Sequence, residues 1–185
     1  MINNTREIEL INYLKYKIKI SDKFIEKKEN RVYFDDIKSI RCKAWRVSAS
    51  YFGAKISHGN FNRILIVDKK NNKLDLNFSS MNEESFSNYR KIVSMITEPL
   101  ANKMVEGINK GKEEKISNLL LTKNGIYKKG IFGKKFLDWS VCANAKINGG
   151  LVIIFRENGK KFSETDVWKK NAIILPKLIN SFKIG

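Results

Sequence analysis

Short runs in which apolar and polar residues alternate dominate this chain. Tyr16, Ile18 and Ile20 alternate with Lys15, Lys17 and Lys19, and Leu74, Leu76 and Phe78 alternate with Lys73, Asp75 and Asn77. Successive side chains of a strand point to opposite faces, so a period of two predicts antiparallel strands with one dry and one wet face. Asn71-Asn72 and Asn158-Gly159 lie between such runs, where a tight hairpin needs residues that accept positive φ. Elsewhere the period lengthens. Phe86, Tyr89, Val93 and Ile96 recur at three and four, with Ser80 and Glu83 spaced as a capping box, and Trp168, Leu175, Leu178 and Phe182 do the same near the end. Between them, Leu100, Met104 and Ile108 predict a helical stretch over 99–116, with Pro99 breaking or bending the run. Pro176 predicts a kink or restart in the last helix.

The pattern occurs twice. Ile20-Ser21-Asp22-Lys23-Phe24-Ile25 matches Leu121-Thr122-Lys123-Asn124-Gly125-Ile126 at an offset of 101. Phe34-Asp35-Asp36-Ile37 matches Phe136-Leu137-Asp138-Trp139 at 102, and Ile64-Leu65-Ile66-Val67 with Lys73-Leu74 matches Val152-Ile153-Ile154-Phe155 with Lys161-Phe162 at 88. Order is kept and each copy ends in a helical pattern, which points to an internal duplication. The drop from 102 to 88 places 14 extra residues in the first copy, within Arg46 to Asn62. The expected organisation is a first module over 1–98 with an inserted hairpin at about 46–62, a connecting helix over 99–116, and a shorter second module over 117–185 that lacks a strand.

The stretch from Leu120 to Trp139, and its counterpart from Ile20 to Ile40, resemble the bacterial pleckstrin-homology-like domains, GRAM-like modules included. The carriers are a strand ending in a hydroxyl, a turn that contains Gly125 in the second copy, an aromatic-x-Asp-apolar step and a closing amphipathic helix. The resemblance implies a mainly β, α+β fold: two antiparallel β-sandwich or barrel modules, each closed by a C-terminal helix and joined by a helix. It implies a binding fold without fixing the ligand.

Composition narrows the function classes. The net charge of +17 attracts nucleic acid, anionic lipid or an acidic protein face, but 29 of the 36 basic residues are Lys, and a coding bias toward Lys, Ile and Asn contributes. The scarcity of Arg weakens bidentate reading of bases. With His58 as the only histidine and Cys42 and Cys142 as the only cysteines, no metal cluster, histidine-based triad or disulfide framework is expected. No phosphate loop or nucleophile elbow occurs, so neither an enzyme nor a cofactor is expected. No run of apolar residues is long enough to span a bilayer. A cytoplasmic protein is therefore expected, with peripheral attachment at the inner membrane face as one mode of action.

Two basic clusters are candidate anion or lipid sites. The first gathers Lys15, Lys17 and Lys19 on one strand face, Arg41 and Lys43 on a strand expected to share that sheet, and Lys27, Lys28 and Arg31 around the turn. In the second, Lys128, Lys129, Lys134 and Lys135 form a collar around Ile131 and Phe132 at a hairpin tip, a design suited to an anionic bilayer. Tyr51, Phe52 and Phe61 of the insert are candidate membrane or partner contacts; the plainer reading is that the insert lengthens a hairpin. The expected function is non-enzymatic binding of an anionic phospholipid surface or a protein partner, with nucleic acid as the alternative.

Overall fold

The structure is a computed structural model that describes residues 6–10, 16–51, 54–80, 83–130 and 133–184. The chain divides into two units, residues 1–96 and residues 97–185.

Unit 1 begins with strands β1 (Arg6–Leu10), β2 (Tyr16–Ile20), β3 (Phe24–Lys27) and β4 (Asn30–Tyr33), hydrogen-bonded in that order as an antiparallel meander. The register stacks Ile20, Ile25 and Val32 across three strands, and all three are buried, as the alternation requires. Ser21 explains the hydroxyl in the repeated motif. Its Oγ accepts from the backbone N–H groups of Lys23 and Phe24, at 3.1 Å each, and so closes the β2–β3 turn. Lys28 and Glu29, at φ 49° and 65°, make the tight β3–β4 turn.

A 3-10 turn at Phe34–Asp36 then ends the ladder and redirects the chain into a second sheet. This sheet contains β5 (Ile37–Tyr51), β6 (Ala54–Asp68) and β7 (Lys73–Ser80), with β6 in the middle. Its core face buries Ile40, Cys42, Ile64, Ile66, Leu74 and Leu76. At roughly 1.5–3 kcal/mol for each large side chain removed from water, these residues supply much of the drive for folding of unit 1. Lys27 Nζ donates to the Asp75 carbonyl at 2.6 Å and Asn30 Nδ2 to the Lys73 carbonyl at 3.3 Å, which ties the two sheets together.

Unit 2 repeats the order. Strands β8 (Glu114–Ile116), β9 (Leu119–Thr122), β10 (Gly125–Gly130) and β11 (Gly133–Asp138) form a four-stranded meander. A 3-10 turn at Trp139–Val141 leads into β12 (Cys142–Asn148), β13 (Leu151–Arg156) and β14 (Lys161–Asp166). Thr122 Oγ1 accepts from Asn124 N–H at 3.3 Å and does the work of Ser21. The Trp139 ring stacks on Phe182 with centroids 4.3 Å apart, and its Nε1–H donates to the Thr122 carbonyl at 3.0 Å. Phe182 lies on helix α2 (Leu175–Ile184), which packs on β12 and carries Pro176 in its first turn. Trp168 lies in the turn before this helix and is not part of it.

The remaining helix, α1 (Glu83–Asn109), corrects the expected organisation. It runs without a break through Pro99, and no separate joining helix exists over 99–116. The division between the units falls inside it: of its buried residues, Tyr89, Ile92 and Ile96 belong to unit 1, and Leu100, Ala101, Met104 and Ile108 to unit 2. Buried residues at every fourth position on both sides sustain the helix across a residue that lacks an N–H donor. Gly111, at φ 84°, ends it, and Glu114–Ile116 is a strand.

The expected pair of helix-closed pleckstrin-homology-like sandwich or barrel modules is overturned with it. The described residues are mostly strand, in four small antiparallel sheets, and among them none closes into a barrel. At Phe34–Asp36 and Trp139–Val141 the chain passes from one sheet to the other: the Phe34 and Trp139 carbonyls accept from the N–H groups of Ile37 and Cys142, and the Asp36 and Val141 carbonyls from those of Lys69 and Glu157, so that β4 and β5, and β11 and β12, lie in different sheets. The second copy also lacks no strand, because β8 supplies the one expected to be missing.

The structural register revises the duplication. The offsets of 101 at the β2–β3 turn and 88 at the β6–β7 turn hold. The aromatic step does not: Phe34 corresponds to Trp139, not to Phe136. Each opens a 3-10 turn, is buried, and accepts from the N–H of the cap residue, Ile37 or Cys142. The slip arises because β10 and β11 have six residues each where β3 and β4 have four. The β5–β6 hairpin, with 15-residue strands against 7 and 6 for β12 and β13, is then 17 residues longer than its counterpart. Each unit thus elongates a different hairpin.

Candidate anion-binding groove

Each candidate basic residue takes its surroundings from the strand register. In unit 1, Lys17 stands opposite Glu9, and Lys19 stands opposite Glu7 on one side and Glu26 on the other. Glu26 in turn faces Arg31, whose Nε lies 2.7 Å from its carboxylate and whose guanidinium covers the Phe24 ring at 4.1 Å. Among the described side chains, Lys19, Glu26 and Arg31 thus alternate base, acid and base along one rung. Arg41 and Lys43 belong to β5, in the other sheet of unit 1, and do not join Lys17 and Lys19. Beside them, Arg63 grips Asp75 with two bonds of 3.0 and 2.6 Å. Lys27 spans to the Asp75 carbonyl and Lys28 sits exposed in its turn.

Several candidates lie where little is described. Lys15, Phe52, Ile131 and Phe132 fall outside the described residues. Tyr51 pairs with Ala54, and Phe61 with Trp45, along a hairpin that the insert lengthens. The side chains of Tyr51 and Phe61, and that of Lys17, are outside the described set.

Unit 2 arranges charge differently. The rung that corresponds to Lys19, Glu26 and Arg31 is Leu120, Tyr127 and Phe136, with Lys115 at its end. A charged ladder has become an apolar strip. Gly125 makes room for it: at φ 152°, a Cβ there would lie 2.3 Å from the Leu137 carbonyl oxygen and 2.8 Å from the Phe136 ring. Phe136 covers the glycine and meets Tyr127 at a centroid distance of 4.7 Å, while remaining 42% exposed.

The two further rungs of the elongated hairpin pair Lys129 with Lys134 and Gly130 with Gly133, next to a Lys128–Lys135 rung. Cross-strand partners share a face, so two pairs of like charges sit directly opposed, an unfavourable arrangement. On the face of Lys128, Glu164 offers compensation: its carboxyl is held below the usual range by a 2.8 Å bond from Lys161 Nζ, with the charges of Lys161 and Lys128 adding to the effect. On the other face, Lys129 and Lys134 join Lys115, Leu120, Tyr127 and Asn118 around a groove of about 540 Å³. Among the described residues no carboxylate lines it. The acid of β11, Asp138, accepts from Ser140 N–H at 2.8 Å as the cap of the 3-10 turn, and its bonding to Ser140 holds its carboxyl below the usual range.

No family model and no curated protein matches this chain. The groove's own chemistry is what characterises it. Net charge does not single it out, since residues 1–96 carry 19 basic against 11 acidic residues and residues 97–185 carry 17 against 8. Placement does, because the first sheet of unit 1 sets Glu26 between Lys19 and Arg31, whereas the matching sheet of unit 2 sets Lys128 against Lys135 and Lys129 against Lys134. Among the described residues no group of three His, Cys, Asp or Glu gathers as metal ligands, and no helix is long and apolar enough to cross a membrane.

Sequence reasoning singled out the four hairpin lysines but not Lys115, Leu120 or Tyr127. A usable signal was present. Counting outward from the Thr122–Gly125 turn places Leu120 opposite Tyr127, and hence an apolar rung on the face that carries Lys129.

Proposed function

We propose that this protein is a non-catalytic binding module that engages anionic partners through the β10–β11 hairpin of unit 2. One observation carries the reading: Lys128 and Lys135 are directly opposed where unit 1 sets Lys27 against Asn30, and the added rung beyond them opposes a second like-charged pair, Lys129 and Lys134. Two ammonium groups held side by side repel each other until an anion lies between them, so the unliganded hairpin is strained electrostatically and an anionic ligand relieves it. Lysines suit a partner whose negative groups are loosely placed, because their flexible stems carry compact charges without the fixed fork of Arg. Binding that depends on such exposed cations weakens as salt screens them.

The test compares wild type with Lys129→Gln/Lys134→Gln for retention on an anionic matrix and on anionic vesicles, between 50 and 500 mM salt. Selective loss in the variant supports the reading. Equal retention of both proteins refutes it, and so does a gel shift of DNA or RNA that the variant leaves unchanged.

A further inference from the structure

We infer that the groove of unit 2 receives an acidic peptide segment of a partner protein, anchored by an aromatic or large aliphatic side chain. This rests on the anionic-partner reading and specifies the partner. Three features of the site converge. The floor is apolar and recessed, since Leu120 and Tyr127 are only partly exposed, and a recess accepts an inserted side chain where a flat bilayer would instead need apolar groups that project. Its rim is cationic, with Lys115 on one side and Lys129 and Lys134 on the other, and no described carboxylate answers them. At the hairpin end it is bounded by Gly130 and Gly133, where the absence of side chains lets a ligand backbone approach. A volume of about 540 Å³ lies in the range of ligand pockets, enough for a few side chains but far too small for a folded surface.

The corresponding face of unit 1 shows what an unreceptive version looks like. There Arg31 covers Phe24 and is bonded to Glu26, so both the aromatic surface and the charge are already taken. In unit 2 the substitution of Leu120, Tyr127 and Phe136 for that ladder removes the internal partners. An acidic segment supplies the charge that the fold has left out, and its apolar anchor covers the strip.

The probe is a fluorescein-labelled peptide Glu-Glu-Phe-Glu-Glu, followed by anisotropy at 50 mM salt. Comparison peptides are Gln-Gln-Phe-Gln-Gln and Glu-Glu-Ala-Glu-Glu, and vesicles containing phosphatidylserine run in parallel. The acidic, Phe-containing peptide should bind at least 5-fold tighter than either comparison peptide. Lys129→Gln/Lys134→Gln should weaken it about 10-fold and Tyr127→Ala about 5-fold, while Lys123→Gln/Lys170→Gln, exposed elsewhere on unit 2, leaves it unchanged. Should Tyr127→Ala fail to fold by circular dichroism, the exposed lysine pair decides. Equal binding of the Ala-containing peptide, or groove variants that bind as wild type, would overturn the inference. Vesicle binding that depends on Lys129 and Lys134 without any peptide binding also overturns it, and leaves the anionic reading in place. If neither probe binds, both fall.

Discussion

Replacing Lys134 by Glu should stabilise the protein while abolishing the proposed binding. The change converts the opposed Lys129–Lys134 rung into an acid–base rung of the kind that Glu26 and Arg31 form in unit 1. With charged ends ~6 Å apart in a dielectric near that of water, the present repulsion is about 0.7 kcal/mol, and reversing its sign doubles the swing to about 1.4 kcal/mol. Both side chains are exposed, so ordering them and screening them by salt reduces the net gain to about 0.5–1 kcal/mol. For a unit of this size that corresponds to a rise in Tm of roughly 2–8 °C. Calorimetry in 0.01 M and 1 M salt checks the origin of the effect, because the screening length falls from ~30 Å to ~3 Å and the gain should collapse. Lys134→Gln, which removes repulsion without adding attraction, should give about half the low-salt gain. No gain at low salt, or an equal gain at high salt, refutes the electrostatic reasoning.

Three further outcomes follow from packing and capping. Gly125→Ala should cost well over about 1 kcal/mol in chemical denaturation, since the new Cβ meets the Leu137 carbonyl at 2.3 Å and the φ of 152° suits glycine; a neutral substitution would mean that the β10 backbone is free to shift. Trp139→Phe keeps a ring on Phe182 but leaves the Thr122 carbonyl without its donor, and should cost about 1–3 kcal/mol, against about 3–5 kcal/mol for Trp139→Ala; equal losses would refute a separate hydrogen-bond contribution. The Asp138 carboxyl is held below its ordinary pKa by Ser140, so its contribution is fully present above the unfolded value of about 4 and is lost as pH falls through the lower folded value. The Tm difference between wild type and Asp138→Ala should therefore close as the pH falls below the unfolded value of about 4, and a constant difference would contradict the assignment.

Local periodicity and the duplication were legible in the sequence because they depend on neighbours along the chain. Ile18, Ile20, Leu74 and Leu76 alternate with polar residues and are buried, and Asn71 and Gly159 adopt the positive φ that their turns need. What was not legible depends on how strands pair over distance. The offset at the aromatic step was read at Phe136 instead of Trp139, because a two-rung extension of β10–β11 preserves the pattern of residue types while shifting the register. Pro99 pointed to a break or a bend, and the helix runs unbroken through it with Ile96 and Leu100 buried on either side. The lysines of β2 read as a basic face in isolation, yet their cross-strand partners are glutamates from β1 and β3. The groove was hidden for the same reason: Lys115, Leu120, Tyr127 and Lys129 meet only once the register of four strands is known.

The central claim is that an anionic partner is taken up by the outer face of unit 2 and not by the basic residues at large. The most direct measurement is a heteronuclear NMR titration of the full chain with the Glu-Glu-Phe-Glu-Glu peptide, following backbone amides and lysine side chains together. The account predicts saturable shifts concentrated on Lys115, Leu120, Tyr127, Lys129 and Lys134, with Lys19, Glu26 and Arg31 unmoved. Shifts spread evenly over the lysines of both units, or centred on the first sheet of unit 1, would contradict it.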